Sequence, residues 1–387
     1  MTDTKTILGN VQELAAEFAV ERSARQRRRT LDPADFARLR EAGYPLMAVP
    51  VAQGGTWESV ARSAWPVCDA LRTLAHGDSS VALVSAMHPA VLGFWLATPE
   101  APAPHADAWA AQRREVCQAA HDGAWWGTIT SEPGSGGDVA QTRAVARADG
   151  ADGWRLSGQK HFGSGSGITA YMLTSAVPAG EPEPDWYFLD VRGAPWDGAT
   201  GMRLVAEWDG HGMTATQSHG FEFTDFPATR FAWPGHWRAI QDAVGGLIGC
   251  LFTAVIVGIV ETALDAARAQ LARRRGTLRP YEQVEWARAE LEGWLVQQAF
   301  TGMLRAVEEP DPPPGAVVYG KTAVAELAES ALGRICRVLG GGVYARHAPF
   351  GHWAQDVRAL GYLRPPWGLA YDRLLDASWA NLREAGA

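Results

Sequence analysis

The sequence has few cysteines, and none of them is closely paired with another. Four cysteines occur in 387 residues, and they lie far apart in the chain. Because no C-x-x-C pair is present, the spacing favours neither a zinc site nor a disulfide-stabilised secreted fold. His347 and His352 lie close together but have no third candidate ligand beside them. We therefore predict reduced, structural thiols and no metal site. The thiols are Cys68, Cys117, Cys250 and Cys336.

An excess of positive charge is also absent. The chain carries 35 Lys and Arg residues against 43 Asp and Glu residues, and its formal net charge at pH 7 is −8. Because nucleic-acid binding depends on clustered Lys and Arg that neutralise phosphates, this balance argues against a nucleic-acid partner. The N-terminal residues lack the basic segment and the apolar run of a signal peptide, and they lead directly into a helical pattern. We therefore predict a cytoplasmic protein.

One uncharged run raises the question of a membrane span. Residues 243–260 contain no charged side chain, and 18 residues is the lower limit for crossing a bilayer. However, the run contains four glycines and continues into Glu261 and Asp265. A helix that is apolar all round also occurs at the centre of a large core. We predict a buried core helix and no membrane partner.

Helical patterns occupy both ends of the chain, and strand-like patterns occupy its middle. Apolar residues recur at helical spacing in residues 8–29. From Trp125 to Trp233, short runs of β-branched and aromatic residues alternate with turn residues, as in an antiparallel β domain. The helical period returns near Trp237. We predict an α+β, mostly α, protein with a helical domain at 1–124, a β barrel or sandwich at 125–233 and a helical domain at 234–387.

Two segments near the start of the predicted β domain carry the strongest functional pattern. Residues 131–138 read Ser-Glu-Pro-Gly-Ser-Gly-Gly-Asp, and the glycines allow the backbone of this loop to approach a ligand closely. Hydroxyl and N–H groups of the loop suit a polar ring edge or a phosphate. Residues 158–165 read Gly-Gln-Lys-His-Phe-Gly-Ser-Gly. In this second segment, Phe162 can lie against a planar cofactor and Ser164 can supply a hydrogen bond.

The pair of segments resembles the acyl-CoA dehydrogenase superfamily. In that family a Thr/Ser-Glu-Pro-x-x-Gly-Ser-Asp loop and an Asn/Ser-Gly-x-Lys-x-aromatic-x-Thr/Ser strand flank the flavin ring. Three further regions are similar to the family in the right order: residues 39–55, the turn at 212–218 and the segment at 339–358. The resemblance therefore covers nearly the whole chain, and five ordered matches are more specific than any single one.

The resemblance implies a fold, an activity and partners. The fold is an N-terminal helical domain, a middle β domain and a C-terminal four-helix bundle, assembled as a homotetramer or a homodimer. The implied enzyme is an FAD-dependent oxidoreductase that passes a hydride from an acyl-CoA-like substrate to flavin N5. Its substrate would be a CoA or carrier-protein thioester, and an electron-transfer flavoprotein would accept the electrons.

The resemblance also implies contacts with FAD. Phe162 stands where the family has an aromatic residue, and Ser164 would bond the edge of the ring. Arg337 would reach the pyrophosphate across a subunit interface, because Arg pairs well with phosphate. Arg275 is the candidate for a second cation there, with Arg273 and Arg274 as alternatives. The glycines beside the pyrophosphate would be Gly340 and Gly341, and the loop residues that contact the flavin would be Thr130, Ser131, Gly136 and Gly137.

The sequence departs from the family where the dehydrogenase chemistry is decided. Removal of the substrate α-proton needs a base within reach, which in most of the family is a Glu eight residues beyond the Arg-Asp aspartate. Counting from Asp356, that position holds Arg364, which stays protonated and cannot serve as a base. The apolar helix offers no carboxylate between Asp242 and Glu261 as a substitute. Gly137 also replaces the usual Ser or Thr of the first loop.

The segment at 162–166, Phe-Gly-Ser-Gly-Ser, looks more like the related flavin-dependent monooxygenases. Those enzymes share the fold and take reduced FAD or FMN that a flavin reductase supplies. Their usual C-terminal His is missing here, because Leu363 occupies its place. The alternatives to dehydrogenation are therefore a hydroxylase or N-oxygenase of the same fold and a catalytically silent subunit.

His88 is the candidate catalytic residue. It lies in an apolar helical pattern at 81–96, where a lone His is more often a core residue that makes one hydrogen bond. A His in this part of the fold can face the flavin in both groups of enzymes, and its pKa near neutrality suits a base or a donor. His161 and His219 are weaker candidates. Seventeen tryptophans are an unusual number, and we expect most of them in the core and several beside a pocket for a bulky or aromatic ligand.

Overall fold

The computed structural model describes residues 3–98, 100–150 and 153–384 of the chain. Within these residues, helices form the beginning and the end of the chain and strands form its middle. The outer ends of the first and third predicted domains, residues 1–2 and 385–387, lie outside the described residues. The division of the chain into three domains at the predicted boundaries stays a prediction.

Six α-helices precede the strands of the described chain. The fifth, α5, is mostly apolar and every one of its residues is buried, as in a helix at the centre of a core. Asp78 caps its first turn, with the carboxylate accepting from the N–H of Val81 at 3.0 Å. The helices are α1 (Thr4–Val20), α2 (Arg22–Arg25), α3 (Pro33–Glu41), α4 (Val60–Gly77), α5 (Ser79–Leu96) and α6 (Ala106–His121).

Seven strands follow and form a nearly closed, mixed sheet. Strands β4, β2, β3, β7 and β5 pair in that order, and β5 pairs again with β4. Two pairings, β1 with β4 and β2 with β4, are parallel, so the expectation of a purely antiparallel domain is wrong at those two pairings. The strands are β1 (Trp126–Thr128), β2 (Val145–Asp149), β3 (Gly153–Gly163), β4 (Tyr171–Pro178), β5 (Asp185–Asp190), β6 (Met202–Ala206) and β7 (His219–Arg230).

Five helices end the described chain. Helices α8 and α9 pack along each other, α7 contacts both of them, and α11 contacts α9, which gives the predicted bundle of four helices. Helix α7 also packs on α4 and α5, so one apolar core joins both helical parts. The helices are α7 (Trp237–Ala272), α8 (Pro280–Glu308), α9 (Ala316–Leu339), α10 (Pro349–Asp356) and α11 (Trp367–Glu384).

Two helices, α5 and α7, are long and apolar enough to cross a membrane by length and composition. Their most apolar windows are 94% and 78% buried inside the protein. The uncharged run at 243–260 lies within α7, and nearly all of its residues from Leu247 onward are buried. The prediction of a buried core helix for this run is therefore confirmed.

Candidate active site

A cavity of about 850 Å³ lies where the β sheet meets helices α5 and α7 and the segment that follows α10. This volume is within the usual range for pockets that bind small molecules and cofactors. Among the described residues, six of the predicted flavin contacts line it. They are Thr130, Ser131, Gly136, Gly137, Phe162 and Ser164.

One wall of the cavity is apolar. Helix α5 presents side chains at positions 83, 87, 90 and 94, a spacing that places them on a single helical face. Helix α7 adds Ile248 and Phe252, and the strands add Leu173 and Trp186. The α5 side chains are Leu83, Met87, Ala90 and Phe94. An apolar body of a ligand fits this wall, because its burial removes hydrocarbon surface from water.

The glycine-rich loop forms another part of the cavity wall and is attached to the sheet at its first residue. Its first residue, Ser131, bridges to β3, with the backbone O of Ser131 accepting from the N–H of His161 at 2.8 Å. Its last part contains Gly137 in the left-handed region at a φ of +82°. A Cβ at Gly137 would lie 3.1 Å from Cγ of Pro366. Gly137 therefore permits a backbone conformation and a close approach that other residues disfavour.

A buried ion pair holds this loop on the sheet. Lys160 Nζ lies 2.6 Å from Glu132 Oε1, and the exposed fractions of the two side chains are 0% and 4%. The carboxylate of Glu132 also accepts from the N–H groups of Arg143 and Ala144, at 2.8 and 3.1 Å. Burial lowers the pKa of Lys160 to about 8, although the Glu132 carboxylate opposes that shift. Glu132 belongs to the first motif and Lys160 to the second, but nothing in the sequence indicates that the two side chains pair.

Phe162 projects into the cavity from a strained backbone. Its φ is +60°, which is rare for an aromatic residue. Its side chain is 58% exposed, and its ring centroid lies 6.3 Å from that of Trp208. Such strain persists where the surrounding structure holds it and often marks functional sites. The aromatic surface is therefore available to a planar ligand.

Ser164 is the first of three hydroxyl groups that are joined by hydrogen bonds. Ser164 Oγ lies 2.8 Å from Ser218 Oγ, which in turn lies 2.8 Å from Thr216 Oγ1. All three residues line the cavity. Thr216 and Ser218 belong to the turn at 212–218, so this motif contributes directly to the cavity wall.

Asp356 joins three parts of the chain behind the cavity. Its carboxylate accepts from Ser79 Oγ at 2.5 Å and from the N–H of Met213 at 2.6 Å. Burial raises the pKa of this carboxyl. The aspartate thus attaches the start of α5 and the turn at 212–218 to the C-terminal segment, which carries cavity-lining residues from 355 to 366. Asp356 therefore holds these segments in position around the cavity.

His88 lies outside the cavity wall as the described residues define it. The side chain is 0% exposed, and Nδ1 accepts from the N–H of Trp126 at 3.3 Å. Burial lowers the pKa of His88 to about 4. This placement favours the core interpretation, and a catalytic role for His88 stays a prediction without a direct path to the cavity.

His161 lines the cavity instead. Its Nε2 is buried and has no hydrogen-bond partner among the described residues. His219 lies nearby in the sheet, where Nδ1 accepts from the N–H of Trp208 at 2.9 Å. Nε2 of His88 is also buried without a partner, so the position of His161 at the cavity wall alone makes it the better candidate. Its place beside Phe162 in the second motif was the available sequence signal.

Arg364 lines the cavity next to the loop. Its guanidinium has no hydrogen bond or ion pair with any described residue. Burial lowers its pKa to about 10, and the charge of Asp138 opposes that shift. Arg358 also lines the cavity, but it contacts Gln355 at 3.3 Å. In the sequence, Arg364 stands out only as the residue in the place of the family's catalytic Glu.

The residues predicted for the FAD pyrophosphate lie away from this cavity, on an exposed end of the helical bundle. Arg337 pairs with Glu285 at 2.7 Å, and Arg275 is exposed. Arg274, an alternative to Arg275, donates to the backbone O of Val338 at 2.6 Å, so the two regions are neighbours. Gly340 and Gly341 are exposed beside them. A pyrophosphate contact from this cluster to the cavity of another subunit stays a prediction.

Comparison with curated proteins finds two nitrososynthases. The chain is 26% identical over 238 residues to the amino sugar nitrososynthase RubN8 of Streptomyces rubradiris, a match that covers 57% of this chain and 55% of that protein. It is 25% identical over 383 residues to L-evernosamine nitrososynthase of Micromonospora sp., with 93% of this chain and 86% of that protein covered. The chain thus spans about half the length of the first relative. No family model matches.

Solved structures show the fold. KijD3, in a complex with FMN and dTDP-3-amino-2,3,6-trideoxy-4-keto-3-methyl-D-glucose, superposes with a TM-score of 0.79 at 21% identity, covering 98% of this chain and 93% of that one. FMN-bound TdsC from Paenibacillus sp. A11-2, a dibenzothiophene monooxygenase, gives 0.77 at 19% identity, covering 98% and 97%. These findings confirm the fold predicted from the sequence: the chain has the acyl-CoA dehydrogenase-like fold.

Proposed function

We propose that the chain is a flavin-dependent monooxygenase, which transfers one oxygen atom of O2 to a small organic substrate and releases the other as water. One observation carries the proposal: the cavity has no carboxylate that is free to remove a substrate proton. Among the described lining residues, Glu132 is the only Asp or Glu. Its oxygens are already bonded to Lys160 and to two backbone N–H groups.

The comparisons agree with this choice. The relatives and structural neighbours are named as nitrososynthases and as a monooxygenase. They therefore favour the oxygenase alternative over acyl-CoA dehydrogenation, which was the first interpretation of the sequence. They give no support to a catalytically silent subunit.

The cavity fits a flavin, and the FMN complexes of the two neighbours support FMN or FAD as the cofactor. Phe162 offers an exposed aromatic face, Ser164 and Ser218 offer hydroxyls, and His161 also lines the cavity. Reduced flavin supplies two electrons and activates O2, so that the flavin is oxidised as the substrate gains one oxygen atom.

The protein side chains position the reactants and exclude water. The face of α5 with Met87, Ala90 and Phe94 holds the apolar part of the substrate, and desolvation there limits wasteful release of H2O2. The hydroxyl of Ser164 bonds the polar edge of the ring. His161 lines the same cavity, and an imidazole there can donate or accept a proton.

Two substrate classes follow from different observations. The apolar wall favours an aromatic or otherwise apolar heteroatom-containing molecule, which resembles the class named for TdsC. The curated relatives favour N-oxygenation of an amino sugar. We prefer the first class, because the inner wall of this cavity offers hydrocarbon surface where a sugar needs hydrogen-bond partners.

The experiment supplies purified protein with reduced FMN, O2 and a panel of aromatic sulfides, indoles and amino sugar nucleotides, and detects products by mass spectrometry. The expected product from the aromatic members is heavier by one oxygen atom. As a control, the protein loaded with oxidised FAD is mixed anaerobically with acyl-CoA thioesters, and no bleaching of the flavin is expected. Bleaching by a thioester together with no oxygenated product would overturn the proposal.

We also propose that the chain functions as a homo-oligomer. Helix α8 carries an exposed apolar face that includes Val284, Leu291 and Trp294, with exposed fractions of 52%, 55% and 55%. Their spacing along α8 places them on one side of the helix. Replacement of Leu291 and Trp294 by Glu should dissociate the oligomer in light scattering, whereas Val20→Glu, at an exposed position outside this face, should not. A separate reductase that supplies the reduced flavin, and a cytoplasmic location, stay predictions.

A further inference from the structure

Two departures from the dehydrogenase pattern, Gly137 and Arg364, meet in space. Gly137 lies against Pro366, and a Cβ on this glycine would stand 3.1 Å from Cγ of that proline. Arg364 precedes Pro366 by two residues and lines the same cavity. The missing side chain at Gly137 therefore gives the segment with the arginine room to pack on the glycine-rich loop.

The guanidinium of Arg364 is available to a ligand. It forms no hydrogen bond or ion pair with a described residue, and its nitrogen atoms are not sealed inside the protein. The nearby Glu132 carboxylate is occupied by Lys160 at 2.6 Å. Asp138 lies near enough for its charge to act on Arg364 but forms no ion pair with it, and its carboxylate accepts from the N–H of Ala140 at 2.9 Å. A partly buried cation without a partner is costly unless an anion joins it.

The loop connects this cation to the ring-binding end of the cavity. Ser131, at its start, is bonded to His161, beside Phe162. Gly137, at its end, is beside the segment with Arg364. Between them, Gly136 lines the cavity, and its backbone N–H donates no hydrogen bond among the described residues. A ligand that has a flat ring at one end and an anion at the other fits this arrangement.

We propose that Arg364, with the N–H of Gly136, binds the phosphate that is attached to the ribityl chain of the flavin. The inference rests on the proposed flavin-dependent function and adds a residue that the sequence resemblance does not assign. Guanidinium groups bind phosphate through paired hydrogen bonds, and backbone N–H groups of glycine-rich loops complete such sites. The apolar wall of α5 lies elsewhere in the cavity and remains for the substrate. Arg364 is thus a cofactor-binding residue at the place of the absent base.

The test measures equilibrium binding of riboflavin, FMN and FAD to the full chain by flavin fluorescence, without reference to turnover. In Arg364→Gln we expect the Kd for FMN and FAD to rise about 10- to 100-fold, as for the loss of a charged hydrogen bond. The Kd for riboflavin, which has no phosphate, should stay within about twofold of the wild-type value. Arg364→Lys should restore part of the difference, and Arg358→Gln, which removes another cation from the same cavity, should not reproduce it. A loss for FMN that exceeds the loss for FAD would indicate a terminal phosphate monoester as the preferred ligand.

Each contrary result has a distinct meaning. An equal loss of riboflavin and FMN binding in Arg364→Gln would show that the arginine maintains the shape of the cavity, and it would overturn this inference alone. Unchanged binding of all three flavins would also overturn it and would leave an anionic substrate as the ligand of Arg364. Failure of the wild-type chain to bind any flavin in either redox state would overturn the proposed function together with this inference.

Discussion

The buried ion pair between Lys160 and Glu132 allows a quantitative prediction about what holds the cavity together. Replacement of Lys160 by Met removes the cation and leaves the carboxylate of Glu132 with an exposed fraction of only 4%. The methionine fills a similar volume, so the change acts mainly on charge. The loss of unfolding free energy in this variant therefore measures the cost of an unpaired carboxylate at this position.

The magnitude follows from burial and from the bonds that remain. Loss of one partner of a buried pair typically costs about 3–5 kcal/mol, because the other charge stays buried without compensation. Glu132 keeps the N–H donors of Arg143 and Ala144, at 2.8 and 3.1 Å. We therefore expect about 3 kcal/mol, the lower end of that range. In a chain of 387 residues this corresponds to a melting temperature that is lower by about 4 °C.

The assay is thermal or urea unfolding of three variants against the wild type. Lys160→Met combined with Glu132→Gln should recover most of the loss, since replacing both members of a buried pair by neutral groups is often close to neutral. Arg203→Met breaks the exposed pair with Glu222 and should cost less than about 1 kcal/mol. A cost below about 1 kcal/mol for Lys160→Met, or no recovery in the double variant, would refute the reasoning.

Three further predictions concern single positions. Because burial lowers the pKa of His88 to about 4 in the folded protein, the unfolded chain binds the extra proton as the pH falls from 6.5 to 4. The unfolding free energy of the wild type should therefore fall over this range by up to about 3 kcal/mol more than that of His88→Leu. If the unfolding free energies of the two proteins depended on pH in the same way, the lowered pKa of His88 would be contradicted. Gly137→Ala should destabilise the protein by about 1–2 kcal/mol. Gly235→Ala should cost less, because both glycines have positive φ but a Cβ at Gly235 meets nothing within 4 Å. Equal losses would assign the effect to backbone strain alone. Ala90→Phe fills the apolar wall and should raise the KM for substrate with little change in the Kd for FMN; an unchanged KM would place the substrate elsewhere.

The sequence predicts the overall fold well because the signals are long and periodic. The helical period on both sides of the β segment and the five ordered motifs all extend over many residues, and chance rarely satisfies them together. The parallel pairings of β4 were not predictable in the same way. Pairing direction depends on which strands become neighbours after the chain crosses over, and no local pattern in β1 or β2 records it.

The candidate site is predicted less completely, and the reason differs between residues. Phe162 and Ser164 lie within a motif, which is why the sequence points to them, and both line the cavity. His88 was preferred over His161 because a helix with apolar residues on every face gives no sign of which face meets a cavity. Arg364 was noticed only as a missing base, since its contact with the loop depends on the packing of Pro366 against Gly137. Such contacts between distant segments leave no trace in residue spacing.

The most direct test of the central claim follows the oxygen atom. Purified protein is supplied with reduced FMN and ¹⁸O2, together with the aromatic substrate that gives the most product, and the label is measured in the product. The account predicts one ¹⁸O atom per molecule of product and consumption of one reduced flavin for each coupled turnover. Product without the label, or oxidation of the substrate by oxidised flavin in the absence of O2, would contradict it.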